Sequence, residues 1–302
     1  MERTITYKIT DSGQNIRIDS FLRKHGYSMQ NLTLLKKMPE SILKNGEWSY
    51  MQTTLQAGDI LTVRIQEETS SPNIPAVNLP IDIVYEDEDI IVINKAAGMP
   101  IHPSLNNYRN SLANALMWYY EQQNKPFIFR CTNRLDRDTS GLIIAAKNDY
   151  AHQKLAAQLQ DHTLARTYEC LAVGNFKEDS GTVDAPIGRH RTDRKKMAVV
   201  PDGRRAVTHW EVIARYRGVT HLRCRLETGR THQIRVHLAY IGHPILGDTV
   251  YGAKKPVPGL TGQCLHATAL EFIHPATGKK ISLTCPLPEE FTRMLEKLQR
   301  QD

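Results

Sequence analysis

The chain has 302 residues, 40% of them hydrophobic and 24% charged, which is enough for one full enzyme core and a small second unit. Its five cysteines are scattered and form no CxxC pair, and we find no apolar run that could cross a bilayer and no secretory signal, so these features disfavour a disulfide framework, a structural zinc site, membrane attachment and secretion. The formal net charge of +7 suits a polyanionic partner, and we expect a cytoplasmic monomer with reduced, mostly buried thiols.

The first 66 residues contain signals for a helix, two turns and a strand. Asn45-Gly46 is a turn dipeptide, and the turn at Gly58-Asp59 is followed by a strand over residues 60–65. A helix that starts at Asp11 or Ser12 is predicted from residues at helical spacing, namely Ile18, Phe21, Leu22 and His25.

Residues 67–80 read as a linker. They hold three prolines, two serines and two acids and have neither a helical nor a strand period. The sequence therefore predicts a small unit over residues 1–66, a linker over 67–80 and a larger unit over 81–302.

The larger unit contains five readable strands, at residues 90–94, 141–146, 167–173, 208–213 and 221–227. The last strand is the clearest, because Leu222, Cys224 and Leu226 alternate with polar residues. Amphipathic helices are indicated by two sets of apolar positions, the first His152, Leu155, Ala156 and Leu159 and the second Ile234, Leu238 and Ile241. Strands separated by unequal helices and long loops predict an α+β fold with a mixed or antiparallel sheet.

The first candidate for chemistry is the segment Arg134–Gly141, in which two carboxylates alternate with two arginines before an apolar strand. An aspartate beside an arginine has its charged form favoured, so Asp136 could act as an ionised nucleophile at neutral pH. Gly141 permits a sharp entry into the strand. Taken alone, the segment fits a solvated surface loop better than a site.

The second candidate, residues 226–237, runs from a strand through Gly229 into a helix. Donors crowded at a helix start suit a phosphate or a carboxylate from elsewhere in the fold. His232 and His237 are five residues apart, which does not place two metal ligands on one helical face, so we reject zinc there.

A basic run between two predicted strands is the third candidate. It contains seven basic residues and only two acids, and it fits RNA contact and a solvated loop about equally well. Its basic residues are Arg189, Arg191, Arg194, Lys195, Lys196, Arg204 and Arg205. Tyr168, on another predicted strand, is either a core residue or a flat apolar surface for a flipped base.

Together these segments resemble the RluA family of RNA pseudouridine synthases over nearly all of residues 83–288. Six segments in family order carry the resemblance: Tyr85–Lys95 with Gly98 and His102-Pro103, Arg134–Gly141, Arg166–Tyr168, Gly229–His237, Gly247-Asp248 with Tyr251-Gly252, and Leu265–Ala267 with His274–Gly278. Asn133 and Ala96 stand where the family commonly has His and Pro. More weakly, the first 65 residues resemble the alpha-L RNA-binding domain of the ribosomal-protein-S-four type, with Ser28-Met29 in place of its usual Ser-Arg pair.

The resemblance implies the pseudouridine synthase fold and catalysis without a metal or an organic cofactor. It implies that Asp136 attacks the target uridine and that Arg134 fills the gap that the flipped base leaves. It further implies that Tyr168 packs against the flipped uracil and that Arg230 pairs with Asp136. A base inside a helix must be extruded before its glycosidic bond can be reached, and a planar cation suits the vacated stack. Large-subunit ribosomal RNA is the expected partner, and transfer RNA stays open.

Two other functions are compatible with the sequence. A non-catalytic RNA-binding or ribosome assembly factor on the same fold would need only the basic run and the alpha-L-like unit. A carboxylate-dependent nucleoside hydrolase would release free uracil, which a synthase retains.

Overall fold

The computed structural model describes residues 1–67, 69–193 and 196–300. Residues 2–66 form an antiparallel sheet in the order β1-β4-β2-β3, together with two helices. Its elements are β1 (Glu2–Lys8), α1 (Ile18–Lys24), α2 (Met29–Lys37), β2 (Ile42–Lys44), β3 (Glu47–Trp48) and β4 (Ile60–Gln66). The predicted turn at Asn45-Gly46 is confirmed, since both residues have positive φ between β2 and β3.

The predicted start of the first helix is wrong. Asp11–Gly13 makes only one short 3₁₀ turn, and Asn15 has a φ of 58°, which interrupts the chain before α1 begins at Ile18. The predicted linker has no helix or strand in its described residues, 67 and 69–80. Glu67 at its start pairs with Arg130 at 2.8 Å.

A ten-stranded sheet forms the centre of the rest of the chain, and it confirms the predicted α+β class. Its path is β10-β13-β14-β9-β15-β8-β6-β5, with β16 beside β15 and β7 beside β8. All of these pairs are antiparallel except β15–β8. The strands are β5 (Asp82–Glu86), β6 (Ile90–Lys95), β7 (Arg130–Cys131), β8 (Ser140–Ala146), β9 (Ala165–Val173), β10 (Ser180–Asp184), β13 (Val207–Tyr216), β14 (Val219–Leu226), β15 (Leu265–Ile273) and β16 (Lys280–Thr284).

Four helices and a separate ribbon accompany this sheet in the described residues. The helices are α3 (Leu112–Glu121), α4 (Asp149–Gln160), α5 (Gln233–Tyr240) and α6 (Glu289–Gln299). The ribbon is a two-stranded hairpin of β11 (Ile187–Arg189) and β12 (Met197–Val199). It packs on α5 through a small apolar cluster of Ile187, Ala206 and Val236. Where the chain is described, no helix is both long and apolar enough to span a bilayer.

Helix α4 connects the amino-terminal sheet to the larger one. Tyr150 at its start packs in the apolar core under the amino-terminal sheet, with its ring 4.4 Å from that of Tyr27. Asn31 donates a hydrogen bond to Asp149 beside it at 2.5 Å. Leu159 and Gln160, at the other end of the helix, line the cavity described next.

Candidate active site

A cavity of about 290 Å³ opens where three segments meet. These segments are the loop between β7 and β8, strand β9, and the turn from β14 into α5. Four residues singled out from the sequence line it together: Arg134, Asp136, Tyr168 and Arg230. Side chains that are far apart in the sequence therefore meet in one concave site.

Lys95 holds the loop that carries Asp136. Its ammonium group is buried and donates to the carbonyls of Ala96 at 2.8 Å, Met99 at 2.9 Å and Arg137 at 2.9 Å. Burial lowers the pKa of Lys95 to about 7, and the charges of Asp138 and Asp136 counter that effect. Because Arg137 follows Asp136 directly, this lysine fixes the backbone beside the carboxylate.

Asn133 and Gly141 complete the support of the loop. The buried Asn133 amide donates to the carbonyl of Leu142 at 3.2 Å and accepts from the amide of Ile144 at 2.8 Å, so it ties the loop to β8. Gly141 has a φ of 107°, and a Cβ there would lie 2.3 Å from the carbonyl oxygen of Ala267. The close parallel pairing of β8 with β15 thus requires glycine at this position.

Arg235 holds the carboxylate of Asp136. Its Nη1 donates to Oδ2 of Asp136 at 2.8 Å, while its Nε and Nη2 bind the two carboxylate oxygens of Asp248 at 2.7 and 3.0 Å. Burial opposes the charge on Arg235, but the hydrogen bonds and charges of Asp248 and Asp136 outweigh it and raise its pKa. The Asp136 side chain keeps 23% exposure, which leaves it accessible from the cavity.

The expected pairing of Arg230 with Asp136 is therefore wrong in this structure. Arg230 turns its Nε to the carbonyl of Arg205 at 3.0 Å and has no carboxylate partner among the described residues. Between the two arginines, His232 adopts a left-handed conformation with a φ of 57° just before α5. Arg235, in the first turn of α5, faces Asp136 instead.

His232 lies on the other side of the same carboxylate. Its Nε2 is 3.9 Å from Oδ1 of Asp136, and its Nδ1 is 2.8 Å from the hydroxyl of Tyr251. That hydroxyl also accepts a hydrogen bond from the amide of Met197 in the ribbon at 2.9 Å. Burial lowers the pKa of His232, which favours the neutral ring. The ribbon is thus linked through Tyr251 to the group beside Asp136.

The other two candidates differ in exposure. Tyr168 is 4% exposed and forms part of the cavity wall, and burial raises its pKa, so its hydroxyl stays protonated at neutral pH. Arg134 lines the cavity, is exposed, and has no ion-pair partner in the part of the chain that the structure describes. Arg137 and Asp138, which follow Asp136 on the same loop, pair with each other at 2.7 Å.

The residues of the basic run lie partly in the ribbon of β11 and β12 and partly after it. Arg189 and Arg191 are exposed at its tip, and Lys196 is half-buried. Arg204 and Arg205 are exposed behind it, where Arg205 pairs with Glu227 at 2.9 Å. Arg194 and Lys195 lie outside the described residues.

Sequence reasoning missed Arg235, Asp248, His232 and Tyr251 as site residues. The signal was present in the segment that supplied Arg230, since Arg235 follows five residues later. Asp248 and Tyr251 lie in another segment of the same resemblance. The pattern of residues did not show which arginine faces the carboxylate.

Comparison with known proteins identifies the family. The family model for RNA pseudouridylate synthase matches residues 89–240, which is half of the chain. The chain is 39% identical over 291 residues to the RNA pseudouridine synthase YlyB of Bacillus subtilis, and the match covers 94% of each protein. It is 45% identical over 239 residues to the ribosomal large subunit pseudouridine synthase D of Pseudomonas aeruginosa, covering 75% of this chain and 74% of that protein.

A solved structure supports the fold. The human RNA pseudouridylate synthase domain containing 4 aligns with a TM-score of 0.59 and 25% identity, over 72% of this chain and 93% of that one. The resemblance seen in the sequence segments is thereby confirmed. With relatives this similar over most of its length, the chain belongs to the RNA pseudouridylate synthase family and is an RNA pseudouridine synthase.

Proposed function

We propose that this enzyme isomerises specific uridines of structured RNA, with Asp136 as its nucleophile. The observation that carries the proposal is the ion pair of Asp136 with Arg235 inside the cavity. Arg235 is fixed by Asp248, so it holds one oxygen of Asp136 in a charge-assisted hydrogen bond and sets the orientation of the carboxylate. The other oxygen, Oδ1, is the one available for attack.

Tyr168 and Arg134 serve the flipped nucleotide in this proposal. A uridine in a helix must leave its stack before its glycosidic bond can be reached. The buried ring of Tyr168 offers a flat apolar surface for the uracil, and the exposed Arg134 at the cavity rim can enter the vacated stack. Arg230, which has no carboxylate partner among the residues that the structure describes, is assigned to RNA contact rather than to Asp136.

The reaction moves uracil without losing it. The base is detached from C1′, rotated and rejoined through C5, so the site has to retain the freed base and exclude water. Asp136 supplies the covalent partner for this sequence, and His232 faces its second oxygen at 3.9 Å. We propose that the protein needs no metal or organic cofactor for this chemistry.

Large-subunit ribosomal RNA is the substrate we propose. The relative from Pseudomonas aeruginosa is named a ribosomal large subunit enzyme, and this chain shares 45% of its residues over the matched region. The basic run, including Arg189 and Arg191, and an alpha-L-like unit over residues 1–66 would add RNA contacts, with residues 67–80 as the linker to the catalytic unit. We further propose that the enzyme acts in the cytoplasm as a monomer.

Mapping pseudouridines in RNA from cells with and without the gene tests this function. We expect one or a few positions in large-subunit ribosomal RNA to lose the modification, and the purified enzyme to restore it on RNA from the deletion strain. If pseudouridine is lost only at positions in transfer RNA, transfer RNA is the substrate instead of ribosomal RNA. Absence of any lost site, with no activity in vitro, would favour the assembly factor, and release of free uracil would favour the nucleoside hydrolase.

A further inference from the structure

Arg166 is a buried cation that the proposed mechanism does not use. It lies in β9, is 8% exposed and lines the cavity. Its only hydrogen bond in the described part of the chain is from Nη2 to the carbonyl of Thr228, at a long 3.3 Å. Its Nε is buried and has no hydrogen-bond partner among the described residues.

Such an arrangement is unfavourable for the protein alone. A buried donor that is left unpaired destabilises the folded protein, and the cost is larger when the group is charged. The carboxylates of the cavity do not compensate for it, because Asp136 and Asp248 are both paired with Arg235. Arg134 and Arg230 also lack acidic partners among the described residues. The cavity therefore holds an excess of positive charge.

The surroundings of Arg166 indicate where an anion would sit. Arg166 and Tyr168 lie two residues apart on the same face of β9, a separation of about 6.6 Å along a strand. Nη1 lies over Gly229, where a Cβ would come within 2.6 Å of it. The glycine thus gives the guanidinium room at the cavity wall. Because both side chains lie on one face of the same strand, a nucleotide whose base packs on Tyr168 would bring its backbone toward Arg166.

We propose that Arg166 binds a phosphate adjoining the target uridine once that nucleotide has been flipped into the cavity. The inference rests on the proposed function and adds a phosphate-binding residue to it. The bound phosphate supplies the anion that the protein itself does not provide. Base and backbone of one nucleotide are then held from the same strand.

The Tm and the RNA affinity of an Arg166→Met variant distinguish a structural role of Arg166 from a phosphate-binding role. Methionine fills similar space without the buried charge, so we expect an unchanged or higher Tm. We expect RNA to bind roughly 10- to 100-fold more weakly, with a salt dependence reduced by about one phosphate contact. A lowered Tm with unchanged binding would make Arg166 structural and overturn the inference.

Neutralised phosphates identify the contact directly. The probe is a synthetic oligoribonucleotide that carries the mapped uridine, with a methylphosphonate at either its 5′ or its 3′ phosphate. The wild type and a Lys297→Met control on α6 should lose affinity at one position, whereas Arg166→Met should not respond there. Equal losses of affinity in all three proteins would refute the contact between Arg166 and a phosphate. The proposed function would still hold if the wild type converts unmodified RNA. If the wild type does not convert unmodified RNA, both the phosphate contact and the proposed function are refuted.

Discussion

Arg235 and Asp136 form an ion pair of 2.8 Å in which the arginine is already held by Asp248. The pair predicts different consequences for the two arginines of the segment. Arg235→Lys keeps a charge but loses the fork that joins both carboxylates, so we expect kcat to fall by about 100-fold or more. Arg230→Lys should change mainly the KM for RNA. Steady-state kinetics separate the effects of the two variants. A larger loss of kcat in Arg230→Lys than in Arg235→Lys would support the pairing of Arg230 with Asp136 that the resemblance implies.

Arg235 also affects stability, through its ion pair with Asp248. Arg235→Met leaves the fully buried Asp248 without its partner, and breaking a buried ion pair costs about 3–5 kcal/mol. Urea unfolding should show this loss, and the double variant Arg235→Met with Asp248→Asn should recover part of it. An additive loss in the double variant would show that the two side chains do not depend on each other.

Tyr168 is expected to act through its ring. Tyr168→Phe keeps a flat surface, so turnover should stay within about fivefold of the wild type, whereas Tyr168→Leu loses base stacking that is worth roughly 1–3 kcal/mol. Single-turnover assays with saturating enzyme measure this difference. Equal loss in Phe and Leu variants would assign the role to the hydroxyl instead.

The ribbon should contribute to RNA binding through its exposed arginines. Replacing Arg189 and Arg191 by Gln should weaken binding and lower the slope of log Kd against log salt by about two. A charge-matched control replaces Lys297 on the exposed side of α6 and the exposed Arg300 that follows the helix. If both double variants have the wild-type slope, the ribbon is a solvated loop.

His266 should make stability depend on pH. It bonds with Ser140 at 2.8 Å and is buried, and burial lowers its pKa from 6.5 to about 4. Protonation therefore favours the unfolded chain, so stability is full above about pH 6.5 and falls as pH drops toward 4, by about 3 kcal/mol from this group. The unfolding free energies of the wild type and His266→Asn should converge over that range. A difference that stays constant with pH would contradict the claim that protonation of His266 destabilises the fold.

Local patterns were sufficient to predict six of the strands, β14 among them, but not the choice of arginine. Alternation along β14 and the turn at Asn45-Gly46 follow from side-chain period and turn chemistry, which are local properties. The left-handed backbone at His232 could not be predicted from the local sequence, since glycine or asparagine is the usual residue in that conformation. After this turn, Arg235 rather than Arg230 contacts Asp136. The unpaired Arg166 likewise becomes visible only when β9 and the α5 turn are placed together.

The exchange of Asp136 for Asn tests the central claim most directly. Asparagine can still accept a hydrogen bond from Arg235 but has no nucleophilic charge, so pseudouridine formation in the mapped RNA should be abolished while RNA affinity stays close to that of the wild type. Asp138→Asn, on the same loop but paired with Arg137, is the matched control and should retain activity. Substantial pseudouridine formation by Asp136→Asn would contradict the assignment of Asp136 as the nucleophile.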